Sequence, residues 1–238
     1  MPNITLIREH LFAAIGRSYT DKEFDELCFE FGVEVDDVMT ETIEVFIIFF
    51  AVQYLHGSKE EHVVYVIAIP ANRYDLLCME GFARALRIFI GLENFPIYKV
   101  TKPESGCLKM FVEPATSQIR PHVVCAVLRG VNFDKKRYKS FIDLQEKLHM
   151  NICRKRTYVA IGTHDLDTLQ APFRYRACSP EEINFVPLTE SEGRSYGGKE
   201  LLNFYREDPS AKHLKPYTDI IYDSPVYPVI YDNENKVL

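Results

Sequence analysis

The stretch HVVYVIAIPANRYDLLCMEGFARALRIFI, residues 62–90, carries the reading that decides the fold. After His62, the next seven residues are continuously apolar and rich in β-branched side chains, the pattern of a buried strand. Pro70-Ala71-Asn72 breaks that strand, because proline has no N–H to offer a ladder. Asp75 is then placed to cap a long helix reaching about Ile90. Leu76, Leu77, Met79, Phe82, Ala83, Leu86, Phe89 and Ile90 fall mostly on its buried side. Asn72-Arg73 at the junction has two readings. It can hold an anion near the helix N-terminus, or Arg73 can pair with an acidic neighbour and pin the turn, and the second is favoured.

Toward the N-terminus, residues 3–6 read as a short strand and 7–15 as a short helix closed by Gly16. Thr20 and Glu23 form a T-x-x-E capping box. Phe24, Leu27, Cys28 and Phe31 follow at helical spacing, and Gly32 supplies a left-handed stop. Val33, Val35 and Val38 lead into an acidic stretch. The longest apolar run, VFIIFFAVQYL at 45–55, is too short for a bilayer, which needs about 20 residues.

Beyond the deciding stretch, Gly91, Asn94 and Pro96 mark a connection, and 102–106 reads as a turn. A domain boundary is placed there: 1–92, a linker at 93–103, then 104–238. The second part is expected to hold strands at 107–112 and 123–128. A helix capped by Asp134 then runs to about Cys153, with the stripe Tyr138, Phe141, Ile142, Gln145, Leu148, Ile152 and an Asp143/Lys147 pair. After Arg154-Lys155-Arg156 the chain returns to strand at 157–162, followed by a polar loop at 163–168 and a strand at 173–177. Ser179-Pro180-Glu181-Glu182 reads as a second capping box with proline first in the helix. A strand at 184–188, a helix at 199–206 and a strand at 226–231 follow. The turn Asp232-Asn233-Glu234-Asn235 opens a hairpin whose return begins at Lys236. The class is α+β: an N-terminal α+β domain followed by a mixed α/β domain expected to be incomplete at its C-terminus.

The composition is that of an ordinary globular protein. Of 238 residues, 47% are hydrophobic and 26% charged, which argues against disorder and coiled coil. The formal net charge, 28 − 34 = −6, excludes a surface basic all over and leaves room for a local basic patch. Six cysteines without a C-x-x-C pair fit reduced, buried thiols better than zinc or disulfides. The N-terminus shows no signal-peptide pattern, and a soluble cytoplasmic protein without membrane attachment is expected.

Three clusters can carry chemistry. His164, Asp165 and Asp167 follow a strand and can bind a metal that activates water. They supply too few ligands for a closed site, and the same residue types form turns, so no metal is assigned. Arg154, Lys155 and Arg156 can contact phosphate; equally, they are three cations at a helix C-terminus, favoured by the macrodipole. Cys153 beside them is either a thiol of lowered pKa or inert packing. No nucleophile elbow, Walker loop, GxGxxG or H-E-x-x-H occurs.

Five blocks taken together are more specific than any one of them: LFAAIGRSYTDKEFDELCFEFGVEVD at 11–36, IPANRYDLLCMEGFARAL at 69–86, FIDLQEKLHMNICRKR at 141–156, VAIGTHDLDTL at 159–169 and YPVIYD at 227–232. In this order and spacing they resemble the N-terminal half of the phenylalanyl-tRNA synthetase beta subunit, eukaryotic and archaeal cytosolic type. The resemblance implies an α2β2 enzyme that attaches phenylalanine to tRNA(Phe) using ATP and Mg²⁺, with the synthetic site on the alpha subunit. It implies that 1–92 is the N-terminal domain and 104–238 the editing domain, which hydrolyses mischarged tyrosyl-tRNA(Phe). A second, hydrolytic sieve makes physical sense, since a pocket discriminates weakly against an added hydroxyl.

By the same resemblance, Ile230 lines the editing pocket, and Thr163, His164 and Asp165 support that cavity or the tRNA acceptor end. Arg154, Lys155 and Arg156 become candidates for RNA or subunit contact. No catalytic residue is identifiable, so a positioned water is the expected nucleophile. Two departures stand out. The family's pocket segments beyond YPVIYD would follow Leu238. Residues 42–62 differ from the family's polar loop, and read either as foreign sequence such as translated intron or as a real insertion. The alternative function is a truncated non-catalytic module, derived from that subunit, that binds tRNA or a protein.

Overall fold

The computed structural model describes residues 2–43, 60–100, 102–104, 106–188, 190 and 193–238. The apolar run 45–55, and with it most of the departing segment 42–62, lies outside the described residues. The chain forms two compact units: Met1–Tyr98 with Phe133–Arg154, and Lys99–Asn132 with Lys155–Leu238.

The first unit contains β1 (Asn3–Ile7), α1 (Arg8–Ile15), α2 (Asp21–Phe31), β2 (Glu34–Ile43), β3 (Glu60–Ala68), α3 (Met79–Phe89) and α4 (Lys135–Met150). Its sheet has the order β1-β3-β2, antiparallel throughout. Successive residues of a strand point to opposite faces, and Val64, Tyr65, Ile67 and Ala68 are all buried, so cover on both faces of β3 explains its continuous apolar sequence. Phe24 of α2 stacks on Tyr65 at 4.7 Å, and the Tyr65 hydroxyl donates to Asp21 Oδ1 at 2.6 Å. Ile4, Leu11, Ile15, Phe24, Leu76, Phe82 and Leu86 complete the core. Burial of each such large side chain contributes roughly 1.5–3 kcal/mol.

The boundaries of α2 follow from its sequence. Glu23 N–H donates to Thr20 Oγ1 at 3.3 Å, and Thr20 N–H donates to Glu23 Oε2 at 2.8 Å. Gly32, at φ +93°, ends the helix in the left-handed region. The entry to α3 differs from the sequence reading. Asp75 does not cap it; a 3-10 turn covers Tyr74–Leu76, and α3 starts at Met79 with Cys78 as its cap. The extra turn brings the Asp75 carbonyl oxygen within 2.0 Å of where a Cβ on Gly81 would sit, an approach that glycine allows. The Asp75 carboxylate instead receives both Arg73 Nε and Arg73 Nη2, at 2.9 and 2.8 Å. The ion-paired reading of Arg73 is the one the structure shows.

A cut at 93–103 would leave α4 with 104–238, yet α4 packs on the first unit. Leu144 and Leu148 sit against its core, and Lys147 Nζ donates to the Asn3 carbonyl at 2.8 Å. Asp134 caps this helix as expected, accepting from Arg137 N–H at 2.8 Å, but the helix stops at Met150 rather than near Cys153.

The second unit contains β4 (Met110–Val112), β5 (Phe173–Cys178), β6 (Asn184–Phe185), β7 (Tyr196–Gly197), α5 (Gly198–Glu207), α6 (Lys215–Thr218) and β8 (Tyr227–Tyr231). β4 and β5 are parallel, β5 and β8 antiparallel, and β6 pairs with β7 alone. Cys178, Ile183, Leu201, Leu202, Tyr205, Tyr227 and Val229 form its core.

Four expectations change here. Residues 123–128 join no ladder, and Val124 is 95% exposed. β-Propensity without a neighbouring strand leaves backbone groups unpaired and makes no sheet. Residues 157–162 also form no strand, because the Thr157 and Tyr158 carbonyls accept the Arg120 guanidinium at 3.2 and 2.8 Å. Pro180–Glu182 is a 3-10 turn without a side-chain cap. Gly198 N–H donates to the Ile183 carbonyl at 3.0 Å, drawing the chain toward the short β6–β7 pair, so the expected strand at 184–188 shrinks to two residues. The unit remains α+β.

Candidate functional site

The polar loop 163–168 is built by its own short side chains. Asp165 Oδ1 accepts the Asp167 N–H at 3.0 Å, and the Asp165 carbonyl accepts Thr168 N–H and Oγ1 at 3.2 and 2.9 Å. This is the Asx geometry that aspartate provides at turns. The His164 ring folds back over the backbone: a Cβ at Gly162 would lie 3.1 Å from His164 Nε2. Although His164 is an exposed residue, desolvation by the surrounding loop, followed by the Lys236 charge, holds its imidazole below the ordinary value. It is therefore neutral near pH 7. Among the described residues, no group of three or more His, Cys, Asp or Glu converges as a metal site would require.

The loop is tied to the end of β8. Asp232 is 1% exposed and accepts three backbone N–H groups: Glu234 and Lys236 at 2.9 Å on Oδ1, and Gln170 at 3.2 Å on Oδ2. Burial works against its charge, but the N–H groups of Lys236, Gln170 and Glu234 outweigh it and hold the carboxyl below the usual range. Asn233 N–H donates to the Gln170 carbonyl at 2.8 Å, and Lys236 Nζ donates to the Thr168 carbonyl at 3.0 Å. Ile230 is half-buried and pairs across the ladder with Tyr175. The link between the Thr163-His164-Asp165 loop and β8 thus runs through Asp232 and Lys236, one and five residues past the strand.

Asp232 escaped the sequence reading as a site residue. Its signal was the Asp-Asn-Glu-Asn turn, since aspartate at the head of such a turn accepts backbone N–H groups further along. The expected hairpin does form, with Tyr231 bridging Val237 and Leu238 N–H donating to the Ile230 carbonyl at 3.0 Å. Arg176 and Glu113 were also missed. They pair at 2.8 Å beside Tyr231, whose phenol is pushed up to about 12 by burial and by Cys178.

Arg154, Lys155 and Arg156 do not extend α4. All three adopt left-handed φ angles of 47°, 55° and 65°, so they form a left-handed turn and not the last turn of the helix. Such residues cost roughly 1–2 kcal/mol each for an L-amino acid. The Arg156 guanidinium lies 4.4 Å from the centre of the Tyr217 ring. Cys153 is buried, which pushes its thiol up and removes the activated-thiol reading. No helix among the described residues is long and apolar enough to cross a membrane.

Residues 1–92 match the family described as the Phe-tRNA synthetase beta subunit B1 domain, a domain of an aminoacyl-tRNA synthetase subunit. The whole chain is 52% identical over 241 residues to the cytoplasmic phenylalanine--tRNA ligase beta subunit of Arabidopsis thaliana, and 49% identical over 238 residues to the beta subunit of Homo sapiens. A crystal structure of an N-terminal fragment of the Pyrococcus horikoshii phenylalanyl-tRNA synthetase beta subunit superposes with a TM-score of 0.78 at 28% identity. That match covers 100% of this chain and 60% of the other. Over its whole length the chain is similar to the N-terminal part of these beta subunits. It spans 39% of the length of the Arabidopsis and human relatives.

Proposed function

We propose that the chain acts as the N-terminal part of the beta subunit of a cytoplasmic phenylalanine--tRNA ligase. In this reading it binds tRNA(Phe) and an alpha subunit, in an α2β2 assembly. ATP and Mg²⁺ serve the assembled enzyme, and this region binds neither. The observation that carries the reading is similarity over the full chain, at 52% identity to the Arabidopsis beta subunit.

The second unit is read as part of the editing domain, which removes tyrosine from tRNA(Phe). Support comes from the tie between the 163–168 loop and the end of β8, which brings two of the chain's quoted blocks into one structure. Ile230, Thr163, His164 and Asp165 are the proposed pocket residues, and Arg154, Lys155 and Arg156 the proposed RNA or subunit contacts. Hydrolysis then proceeds by a positioned water. A neutral His164 suits orientation of that water, with the other pocket residues supplying electrostatic help.

The test uses the 238-residue chain with a tRNA(Phe) transcript and co-expressed alpha subunit. Binding of the transcript and co-elution with the alpha subunit are expected; absence of both overturns the reading. Release of tyrosine from tyrosyl-tRNA(Phe) tests the editing part. Binding without ester cleavage would favour a non-catalytic module.

A further inference from the structure

The first turn of α4, Lys135-Lys136-Arg137-Tyr138-Lys139, carries four cations in five residues of a chain whose net charge is −6. Helix N-termini favour acidic side chains, because the macrodipole is positive there. This first turn contains no acidic residue, and the last turn holds Lys147 and His149 in the favourable place. Lys135, Lys136 and Lys139 are exposed, and none forms an ion pair among the described residues. Helix stability therefore does not account for the run.

Its arrangement matches a nucleic-acid ligand. Lys135, Tyr138, Lys139 and Ile142 share one face at i, i+3, i+4 and i+7. Tyr138 is 52% exposed and held edge-on by Phe133, with ring centres 6.0 Å apart, so its orientation is set before any ligand arrives. Lysines interleaved with an exposed aromatic are what a polyanion carrying flat bases requires: ammonium groups for phosphates, a ring for a base. The lysines call for a polyanion, and the exposed Tyr138 ring among them favours RNA over an acidic protein.

We infer that the Lys135–Tyr138–Lys139 face of α4, with Lys136 beside it, is an RNA-contacting surface. It is separate from the left-handed Arg154-Lys155-Arg156 turn. The inference rests on the tRNA reading above and names a surface that carries part of that binding.

The experiment measures tRNA(Phe) transcript affinity of the 238-residue chain across a salt series. The variants are Lys135→Glu/Lys136→Glu/Lys139→Glu, Tyr138→Ala, and Lys212→Glu as a charge control elsewhere on the surface. The triple variant should flatten the slope of log affinity against log salt by about 2 to 3, since each phosphate contact contributes about 0.7–0.9. Tyr138→Ala should weaken binding while leaving the slope unchanged. Misfolding cannot mimic this result: glutamates at a helix N-terminus favour the helix, so thermal stability should hold or rise while RNA affinity falls. Unchanged RNA affinity and slope in the triple variant, with wild-type binding intact, overturns the inference alone and leaves the face to an acidic protein partner. Absence of RNA binding by the wild-type chain overturns the tRNA reading as well.

Discussion

Asp232 Oδ2 accepts the backbone N–H of Gln170 at 3.2 Å, joining two segments 62 residues apart in the chain. The other carboxylate oxygen gathers the N–H groups of Glu234 and Lys236, so one buried side chain fixes both the loop and the hairpin turn. Replacing Asp232 by Ala leaves three donors without an acceptor. The expected outcome is a lower melting temperature and faster amide exchange at Gln170, Glu234 and Lys236 than in the first unit. Unaltered exchange at those amides would remove Asp232 as the hub.

The same carboxyl sets an acid limit. Its pKa in the folded chain lies below the ordinary 3.8, so the charged form favours folding. That contribution is fully present above about pH 3.8 and is lost as pH falls through the folded value. An acid titration followed by NMR should show the 170/232–236 region loosening only below pH 4, and Asp232→Asn should abolish that step.

Gly81 lies under the Asp75 carbonyl with no room for a methyl group. Gly81→Ala should therefore destabilise the first unit by roughly 3 kcal/mol, despite alanine's higher helix propensity. Denaturant unfolding decides it, and a neutral or stabilising result would contradict the packing.

The Arg73–Asp75 pair is bidentate but partly exposed, with side chains 39% and 51% accessible. A double-mutant cycle should return a coupling of about 1 kcal/mol or less. An anion bound by Arg73 would instead make the coupling depend on phosphate, which the pairing predicts it will not.

Thiol chemistry separates the cysteines. Cys107 and Cys125 are exposed and should react with a disulfide reagent in the native protein. Cys28 and Cys178 should react only on unfolding; burial, then the nearby Asp25 charge, pushes the Cys28 thiol up to about 12.

What could be read from the residues was whatever a short window decides. The Thr20/Glu23 box, the stops at Gly16 and Gly32, the Asp134 cap and the apolar β3 all depend on neighbours a few positions away, and all appear in the structure. The ordered blocks that mark the family are likewise properties of the chain alone. Tertiary structure decided what needs a distant partner. α4 joins the first unit because Leu144 and Leu148 find a core there. Residues 157–162 fail as a strand because Arg120 takes carbonyls a ladder would need. Asp232 becomes a hub only when Gln170 arrives. Local sequence sets the intrinsic preference of a segment, but backbone groups and charges are satisfied by whichever partner folding brings within hydrogen-bond distance.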